Sequence, residues 1–172
     1  ARVARALGCR PNEVVFTSGA TEANHLAVRG LLAAAPVARP RALFGAVEHA
    51  GLLALAHQLA ETGVPVDFLP VRPDGSLDLD AATRLIGPDV ALVSLMAANN
   101  ETGALMPVAE VAALARAAGA RLHVDATQWI GKLPFGFAEW AGWGVDAVSF
   151  SAHKFQGPKG AGALLLRQGM AL

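Results

Sequence analysis

The chain has 172 residues, 14 Lys and Arg against 14 Asp and Glu, and a hydrophobic fraction of 53%. This length is sufficient for one domain with a sizeable core. The balanced charge argues against a general nucleic-acid or anionic-membrane binder, since affinity for a phosphate backbone depends on an excess of Lys and Arg. Mean hydropathy is high at +0.41, but the longest uncharged stretches, such as residues 90–100, fall well short of the ~20 apolar residues of a membrane-spanning helix.

Cys9 is the single cysteine, which excludes an internal disulfide framework and a thiol cluster for zinc or iron–sulfur ligation. The five histidines lack the spacing of metal ligands, and we predict no metal site. No secretory signal is visible, and we expect a cytoplasmic protein. Because the chain starts at Ala1 within a predicted helix and ends soon after an apolar run, we expect it to be part of a longer protein.

Short β-like runs alternate along the chain with longer helix-like stretches. The predicted strands are Glu13–Thr17, Ala42–Val47, Pro65–Leu69, Val90–Leu95, Arg121–Val124, Asp146–Phe150 and Ala163–Leu166. The predicted helices are Ala1–Leu7, Thr21–Ala34, His49–Glu61, Leu79–Leu85 and Val108–Ala118, the last of them with Pro107 at its start and Gly119 as its C-terminal cap.

This alternation predicts an α/β fold with three layers, α-β-α, around a mainly parallel seven-stranded sheet. Helix follows strand within a few residues, so right-handed crossovers are expected. The last two strands are joined by the short segment Gly157-Pro158-Lys159-Gly160, which leaves no room for a helical crossover. We therefore predict that the last strand runs antiparallel.

Ligands of open α/β sheets bind outside the carboxyl ends of the strands, and four such ends carry polar residues. At the first, a strand enters the turn Thr17-Ser18-Gly19 and a helix begins near Ala20 or Thr21. The free backbone N–H groups and hydroxyls there suit an anion, although a Ser/Thr helix cap without a ligand is the simpler alternative. No nucleotide-binding glycine motif is present.

The other three ends supply a carboxylate, an amine and an imidazole. Asp125 ends a buried strand and keeps its charge only if a pyridinium, a metal, an arginine or several donors face it. Lys154 directly follows an apolar strand, where a partly desolvated amine would suit Schiff-base chemistry, although a solvated loop lysine is the plainer alternative. His49 could stack on an aromatic ligand, act as an acid or base, or cap a helix. An anion cradle, a carboxylate, a flat neighbour and an amine on one sheet edge together match pyridoxal 5′-phosphate (PLP).

Six segments then identify a family resemblance. They are Phe16–Asn24 (FTSGATEAN), Glu48-His49, Asn99–Gly103 (NNETG), His123–Gln128 (HVDATQ), Gly131-Lys132-Leu133-Pro134 and Ser149–Gly160 (SFSAHKFQGPKG). In this order they resemble the cysteine desulfurases, in the class V aminotransferase branch of the fold-type I PLP enzymes. The resemblance covers nearly all 172 residues and implies that residues 1–172 are the PLP-binding large domain.

The resemblance implies a role for each matching residue. Lys154 would bind the cofactor as a Schiff base, Asp125 would pair with the pyridine nitrogen, and His49 would stack on the ring and take part in proton transfer. The expected contacts of the phenolic oxygen are Gln128 and Asn100, and those of the phosphate are Ala20 (backbone), Thr21, Ser151 and His153.

The implied activity is conversion of L-cysteine to L-alanine, with the sulfur transferred as an enzyme persulfide to a sulfur acceptor or scaffold protein. The family's nucleophilic cysteine follows the lysine on a mobile loop, so Cys9 is not its equivalent. From the same resemblance we expect the family's N-terminal segment, its C-terminal small domain and the dimer partner's phosphate contact to lie outside these residues, and we expect a homodimeric parent protein. Another class V enzyme (a transaminase, selenocysteine lyase or epimerase) and a cofactor-free α/β binding module remain as alternatives.

Overall fold

The computed structural model describes residues 1–172 and contains one seven-stranded sheet. The strands are β1 (Val14–Thr17), β2 (Arg41–Gly45), β3 (Val66–Leu69), β4 (Val90–Met96), β5 (Arg121–Asp125), β6 (Ala147–Ser151) and β7 (Gly162–Leu166). All seven predicted strands are present, with bounds shifted by two residues at most. The sheet of the predicted fold class is thus confirmed.

The strand order is β1-β7-β6-β5-β4-β2-β3. The pairs β2–β3, β2–β4, β4–β5 and β5–β6 are parallel, whereas β7 runs antiparallel to both β1 and β6. The predicted antiparallel direction of the last strand is confirmed. Because β7 runs antiparallel to its neighbours β1 and β6, its first residue lies at the same edge as the carboxyl ends of the six other strands.

Helices cover both faces of the sheet. They are α1 (Arg2–Ala6), α2 (Ala20–Ala33), α3 (Ala50–Glu61), α4 (Leu79–Leu85), α5 (Val108–Ala118) and α6 (Phe137–Trp143). Apolar side chains of α2 and α3 pack with Ala42, Phe44 and Leu164 on one face, and those of α5 and α6 pack with Leu43, Val124 and Leu165 on the other. The alternation of Ala42, Leu43 and Phe44 between the two faces follows from the two-residue repeat of a strand. No helix is of the length and apolarity that crossing a membrane requires.

Helix ends largely follow the sequence signals. Gly119 has φ 73° and caps α5 in the left-handed conformation, as predicted. Asp78 accepts a hydrogen bond from the Ala81 N–H and caps α4. Helix α6 was not predicted, because its sequence, FAEWAGW, is short, aromatic and interrupted by glycine. This helix is stabilised by the burial of Phe137 and Trp140 and not by the intrinsic helix propensity of its residues.

A buried histidine links the three central strands. The Nδ1 atom of His123 on β5 lies 2.8 Å from the Ser94 hydroxyl on β4, and its Nε2 atom contacts the Ser149 hydroxyl on β6. Desolvation lowers the pKa of His123 from 6.5 to about 4, against the opposing effect of the nearby Asp125 charge. A neutral imidazole has one donor and one acceptor nitrogen, so the two hydroxyls satisfy both.

This histidine gives a pH-dependent contribution to stability. The unfolded chain binds a proton at His123 near pH 6.5, whereas the folded chain binds it only near pH 4. Stability is therefore complete above pH 6.5 and is lost as the pH falls towards 4, by about 3 kcal/mol. We expect the urea midpoint of His123→Gln to fall less steeply between pH 7 and 4 than that of the unsubstituted protein. The exposed residue His57 provides the control, His57→Gln; equal slopes in all three proteins would contradict the assignment.

Candidate active site

A cavity of about 490 Å³ opens at the edge of the sheet where the carboxyl ends of the parallel strands lie. Its walls come from the turns after β1, β2, β5 and β6 and from the segment before β7. The lining residues are Ser18, Gly19, Ala20, Thr21, Glu22, Asn24, His49, Asp125, Thr127, Ser151, His153, Lys154, Lys159 and Gly160. Seven of the nine predicted site residues are among them: Ala20, Thr21, His49, Asp125, Ser151, His153 and Lys154.

Asp125 is the buried acid of the cavity. Its side chain is the last of β5, and the residue is only 6% exposed. The Asn24 amide donates to Oδ2 at 2.8 Å, and the Thr127 N–H donates to Oδ1 at 2.9 Å. No arginine, lysine or histidine forms a salt bridge with it. The sequence left a pyridinium, a metal, an arginine or several donors as possible partners of Asp125, and this chain supplies two neutral donors. The carboxyl oxygens have further lone pairs, with which they can bind a cation in the cavity.

The amino end of α2 forms the anion-binding side of the cavity. The helix has 14 residues, and no side chain caps its first N–H groups. These groups therefore remain free to bind an anion, and the helix dipole favours negative charge there. Ser151 is next to this helix end, because a Cβ atom at Gly19 would lie 3.5 Å from Ser151 Oγ, and the Ser151 hydroxyl lies 2.8 Å from His153 Nδ1. The Ser18 hydroxyl donates to Glu22 Oε2 at 2.6 Å.

Two lysines line the cavity. Lys154 lies in the short 3₁₀ turn Ala152–Phe155 that follows β6, and Lys159 lies in the segment that leads to β7. The expectation that the Lys154 amine is partly desolvated is wrong for this chain, because Lys154 is exposed. Lys154 is nevertheless in the same cavity as Asp125, as the sequence predicted.

His49 both lines the cavity and caps a helix. It precedes α3, and its Nδ1 accepts a hydrogen bond from the Gly51 N–H at 3.2 Å. The two alternatives from the sequence, a helix cap and a ring facing a ligand, are thus compatible. Because Nδ1 is the acceptor, the neutral ring carries its proton on Nε2.

Glu48 is buried next to this site and does not line the cavity. Its Oε1 accepts from the Met96 N–H at 2.6 Å, and its Oε2 has no hydrogen-bond partner. Burial, reinforced by the negative charge of Asp125, raises the pKa of Glu48 well above its usual range, and the Met96 N–H opposes this effect only partly. The surroundings of Glu48 therefore favour its neutral form.

Three residues that the sequence singled out lie outside the cavity lining. Asn100 is exposed in the turn after β4, and Gln128 accepts a hydrogen bond from the Lys132 amine. Their contacts with the phenolic oxygen therefore stay predictions. Cys9 packs beside the core, and burial together with the Glu13 charge raises the pKa of its thiol. It is a poorly activated thiol that does not reach the cavity.

Seven lining residues are not among the predicted site residues: Ser18, Gly19, Glu22, Asn24, Thr127, Lys159 and Gly160. The position of Asn24 could have been noticed, because it is a polar residue on the apolar face that Ala23, Ala27 and Val28 form on α2. Thr127 follows Asp125 by two residues, the spacing of an aspartate that accepts from a backbone N–H of its own turn. No local pattern marks Lys159. It lines the cavity because the segment that leads to β7 returns to the same edge of the sheet.

The approach of β7 to the α2 turn gives a test of the cavity's construction. A Cβ atom at Gly162 would lie 2.6 Å from Gly19 Cα and 2.7 Å from the Phe150 carbonyl oxygen, so backbone must move. We expect Gly162→Ala to lower the free energy of unfolding by about 2 kcal/mol. At Gly142 an added Cβ meets no atom within 4 Å, and Gly142→Ala is the control. Urea unfolding measures both; equal stability of the two variants would contradict the close approach.

Comparison with known proteins agrees with the fold and the cavity. The family model for aminotransferase class-V matches residues 1–171. The cysteine desulfurase of Cereibacter sphaeroides is 50% identical over 160 residues, which are 92% of this chain and 40% of that protein. Among solved structures, a NifS-like protein has a TM-score of 0.93 at 36% identity and covers 99% of this chain and 47% of its own. SspA in complex with cysteine has a TM-score of 0.88 at 31% identity, over 96% of this chain and 47% of its own.

These matches confirm the resemblance that the six segments indicated, and the structural neighbours confirm the predicted fold class. The chain spans about 40% of the length of the curated relatives that it matches. The family model, in contrast, extends over all but the last residue of this chain, so the assignment does not depend on a single segment. The chain belongs to the class V aminotransferase family.

Proposed function

We propose that the protein is a PLP-dependent cysteine desulfurase. The reaction converts L-cysteine and an enzyme thiol to L-alanine and an enzyme persulfide. The carbon–sulfur bond of the substrate breaks, a sulfur–sulfur bond forms on the enzyme, and a proton replaces sulfur at the substrate's β-carbon, so no external oxidant or reductant is needed. The single observation that supports the proposal most is the joining of Lys154, Asp125, His49 and the free amino end of α2 in one cavity.

The residues of the cavity fit PLP in their chemistry. The amine, the buried carboxylate, the imidazole and the helix end match the cofactor's aldehyde, ring nitrogen, ring face and phosphate. Two buried atoms beside Asp125, Asn24 Oδ1 and Thr127 Oγ1, have no partner within the chain. Buried polar atoms are normally paired, so unpaired ones beside a cavity are consistent with a polar ligand there.

The proposed holding residues follow from these positions. Lys154 would bind the aldehyde carbon, Asp125 the ring nitrogen, and His49 would lie over the ring. The phosphate would take the α2 end with Ala20 and Thr21, together with Ser151 and His153, and we keep Asn100 and Gln128 as predicted contacts of the phenolic oxygen. For the last two, the side chains must turn towards the cavity.

When bound, PLP supplies a conjugated ring that withdraws electrons from the substrate's α-carbon. The chain's own residues prepare that chemistry. The Asn24 amide and the Thr127 N–H each donate to one Asp125 oxygen and so fix the orientation of the carboxyl group at the cavity. His49, with Nδ1 occupied by the Gly51 N–H, has its Nε2 proton free to donate.

The sulfur-accepting thiol is not provided by Cys9, whose thiol is partly buried and lies outside the cavity. We therefore propose that residues 1–172 form the cofactor-binding large domain and that the nucleophilic cysteine belongs to another part of the full-length protein. L-cysteine as substrate is supported by the likeness to SspA, solved in complex with cysteine. A homodimer, a sulfur-acceptor or scaffold protein and a cytoplasmic location belong to the same proposal, on the family resemblance.

Lys154 provides the direct test. Borohydride reduction of the full-length protein with PLP should leave a pyridoxyl group on the peptide that contains Lys154, detected by mass spectrometry. Lys154→Ala should abolish both the label and the release of alanine from L-cysteine, because a primary amine is required at this position. Lys132→Ala is the control, since Lys132 lies outside the lining residues and contacts Gln128.

The outcomes separate the alternatives. Labelling with alanine and sulfide release supports the desulfurase. Labelling of Lys154 with amino-group transfer to a keto acid, and no sulfide, would assign another class V reaction. Absence of labelling in the unsubstituted protein would favour the cofactor-free binding module and overturn the proposal.

A further inference from the structure

We propose that Glu48 is a positioning residue, whose side chain ties the turn carrying His49 to the end of β4 and thereby sets the place of His49 in the cavity. Of the two residues of the motif Glu48-His49, only His49 lines the cavity. Glu48 is 4% exposed and lies behind the lining residues. The contacts of its carboxyl group therefore indicate its role.

Two hydrogen bonds fasten the turn between β2 and α3 to the segment at the end of β4. The Met96 N–H donates to Glu48 Oε1 at 2.6 Å, and the Asn99 amide donates to the Val47 carbonyl oxygen at 3.1 Å. Asn99 is in turn fixed, because its Oδ1 accepts from the N–H groups of Glu101 and Thr102 at 2.9 Å each. The two residues that precede His49 are thus both attached to one neighbouring strand end.

The backbone is shaped to admit the Glu48 side chain. A Cβ atom at Gly45, the last residue of β2, would lie 2.5 Å from Glu48 Oε1. The carboxyl group therefore occupies space that only glycine leaves free at the strand end. This arrangement gives the Met96 N–H an acceptor after the pairing of β4 with β2 has ended at Ser94. It also fixes the position from which the next residue, His49, caps α3.

The surroundings of this carboxyl group favour its neutral form. Burial, followed by the Asp125 charge, raises the pKa of Glu48, and no cation forms a salt bridge with it. Oε1 is the acceptor for the Met96 N–H, and Oε2 is buried without a partner, so a proton of the neutral acid would be on Oε2. An unpaired hydroxyl costs far less in a buried place than an unpaired charge.

The inference concerns His49 and rests on the proposed function only for its effect on turnover. The first measurement is therefore made without added PLP. In the ¹⁵N-histidine NMR spectrum of the full-length protein, the His49 ring should show an acceptor Nδ1 and a protonated Nε2. Glu48→Met, which keeps the side-chain volume and removes the acceptor, should shift the His49 resonances towards those of a freely exchanging ring. Glu48→Gln should restore the unsubstituted pattern, because a neutral amide oxygen can accept from Met96 as the acid does.

The matched control is Glu61→Gln at the exposed end of α3, which should leave the His49 resonances in place. In the loaded enzyme, Glu48→Met should lower kcat at least about tenfold, with a smaller change in KM, since His49 is displaced and not removed.

Two results would overturn the inference: unchanged His49 resonances in Glu48→Met, or failure of Glu48→Gln to keep the unsubstituted pattern. Because Glu48→Gln keeps both the acceptor and the side-chain volume, displaced His49 resonances in that variant overturn the inference even where Glu48→Met does not fold. Failure of the desulfurase assignment alone would change the turnover result and leave the NMR results as expected.

Discussion

The pair of hydrogen bonds to the Asp125 carboxylate is the interaction on which the site depends. The carboxyl group is buried at the end of the central strand β5, and this chain faces it with the Asn24 amide and the Thr127 N–H in place of a cation. The neighbouring Glu48 is also buried, and this burial together with the Asp125 charge raises the pKa of Glu48 well above its usual range. The two acids therefore differ in their surroundings, because two donors face Asp125 and one N–H faces Glu48.

The cavity around Asp125 is a consequence of the sheet topology. Parallel strands bring the turns after β2, β5 and β6 to one edge, and the antiparallel return of β7 brings Gly162 and Lys159 to the same place. Helix α2 then crosses the face of the sheet with Asn24 towards Asp125 and its uncapped end towards Ser151. Helix α2 thus contributes the Asn24 side chain, which donates to Asp125, and its free backbone N–H groups, which can bind an anion.

Much of this could be predicted from the sequence because the signals are local. Apolar runs defined the strands, and polar residues at their ends defined the candidates. The sequence did not predict α6, whose stability comes from burial of Trp140, nor the exposure of Lys154, which depends on how the cavity opens. It also assigned no role to Asn24, Glu48 or Lys159. The partners of Asn24 and Glu48, Asp125 and Met96, lie 101 and 48 residues away along the chain, and Lys159 reaches the cavity only because β7 returns to this edge.

The central claim is that Asp125, held by the Asn24 amide and the Thr127 N–H, binds the ring nitrogen of the proposed cofactor in the cavity. The most direct measurement is the ¹⁵N NMR shift of ring-labelled PLP bound to the full-length protein at neutral pH, compared with Asp125→Asn. We predict the shift of a protonated ring nitrogen in the unsubstituted protein and of an unprotonated nitrogen in the variant, because an amide cannot balance the positive charge. An unprotonated nitrogen opposite an intact Asp125 would contradict the account.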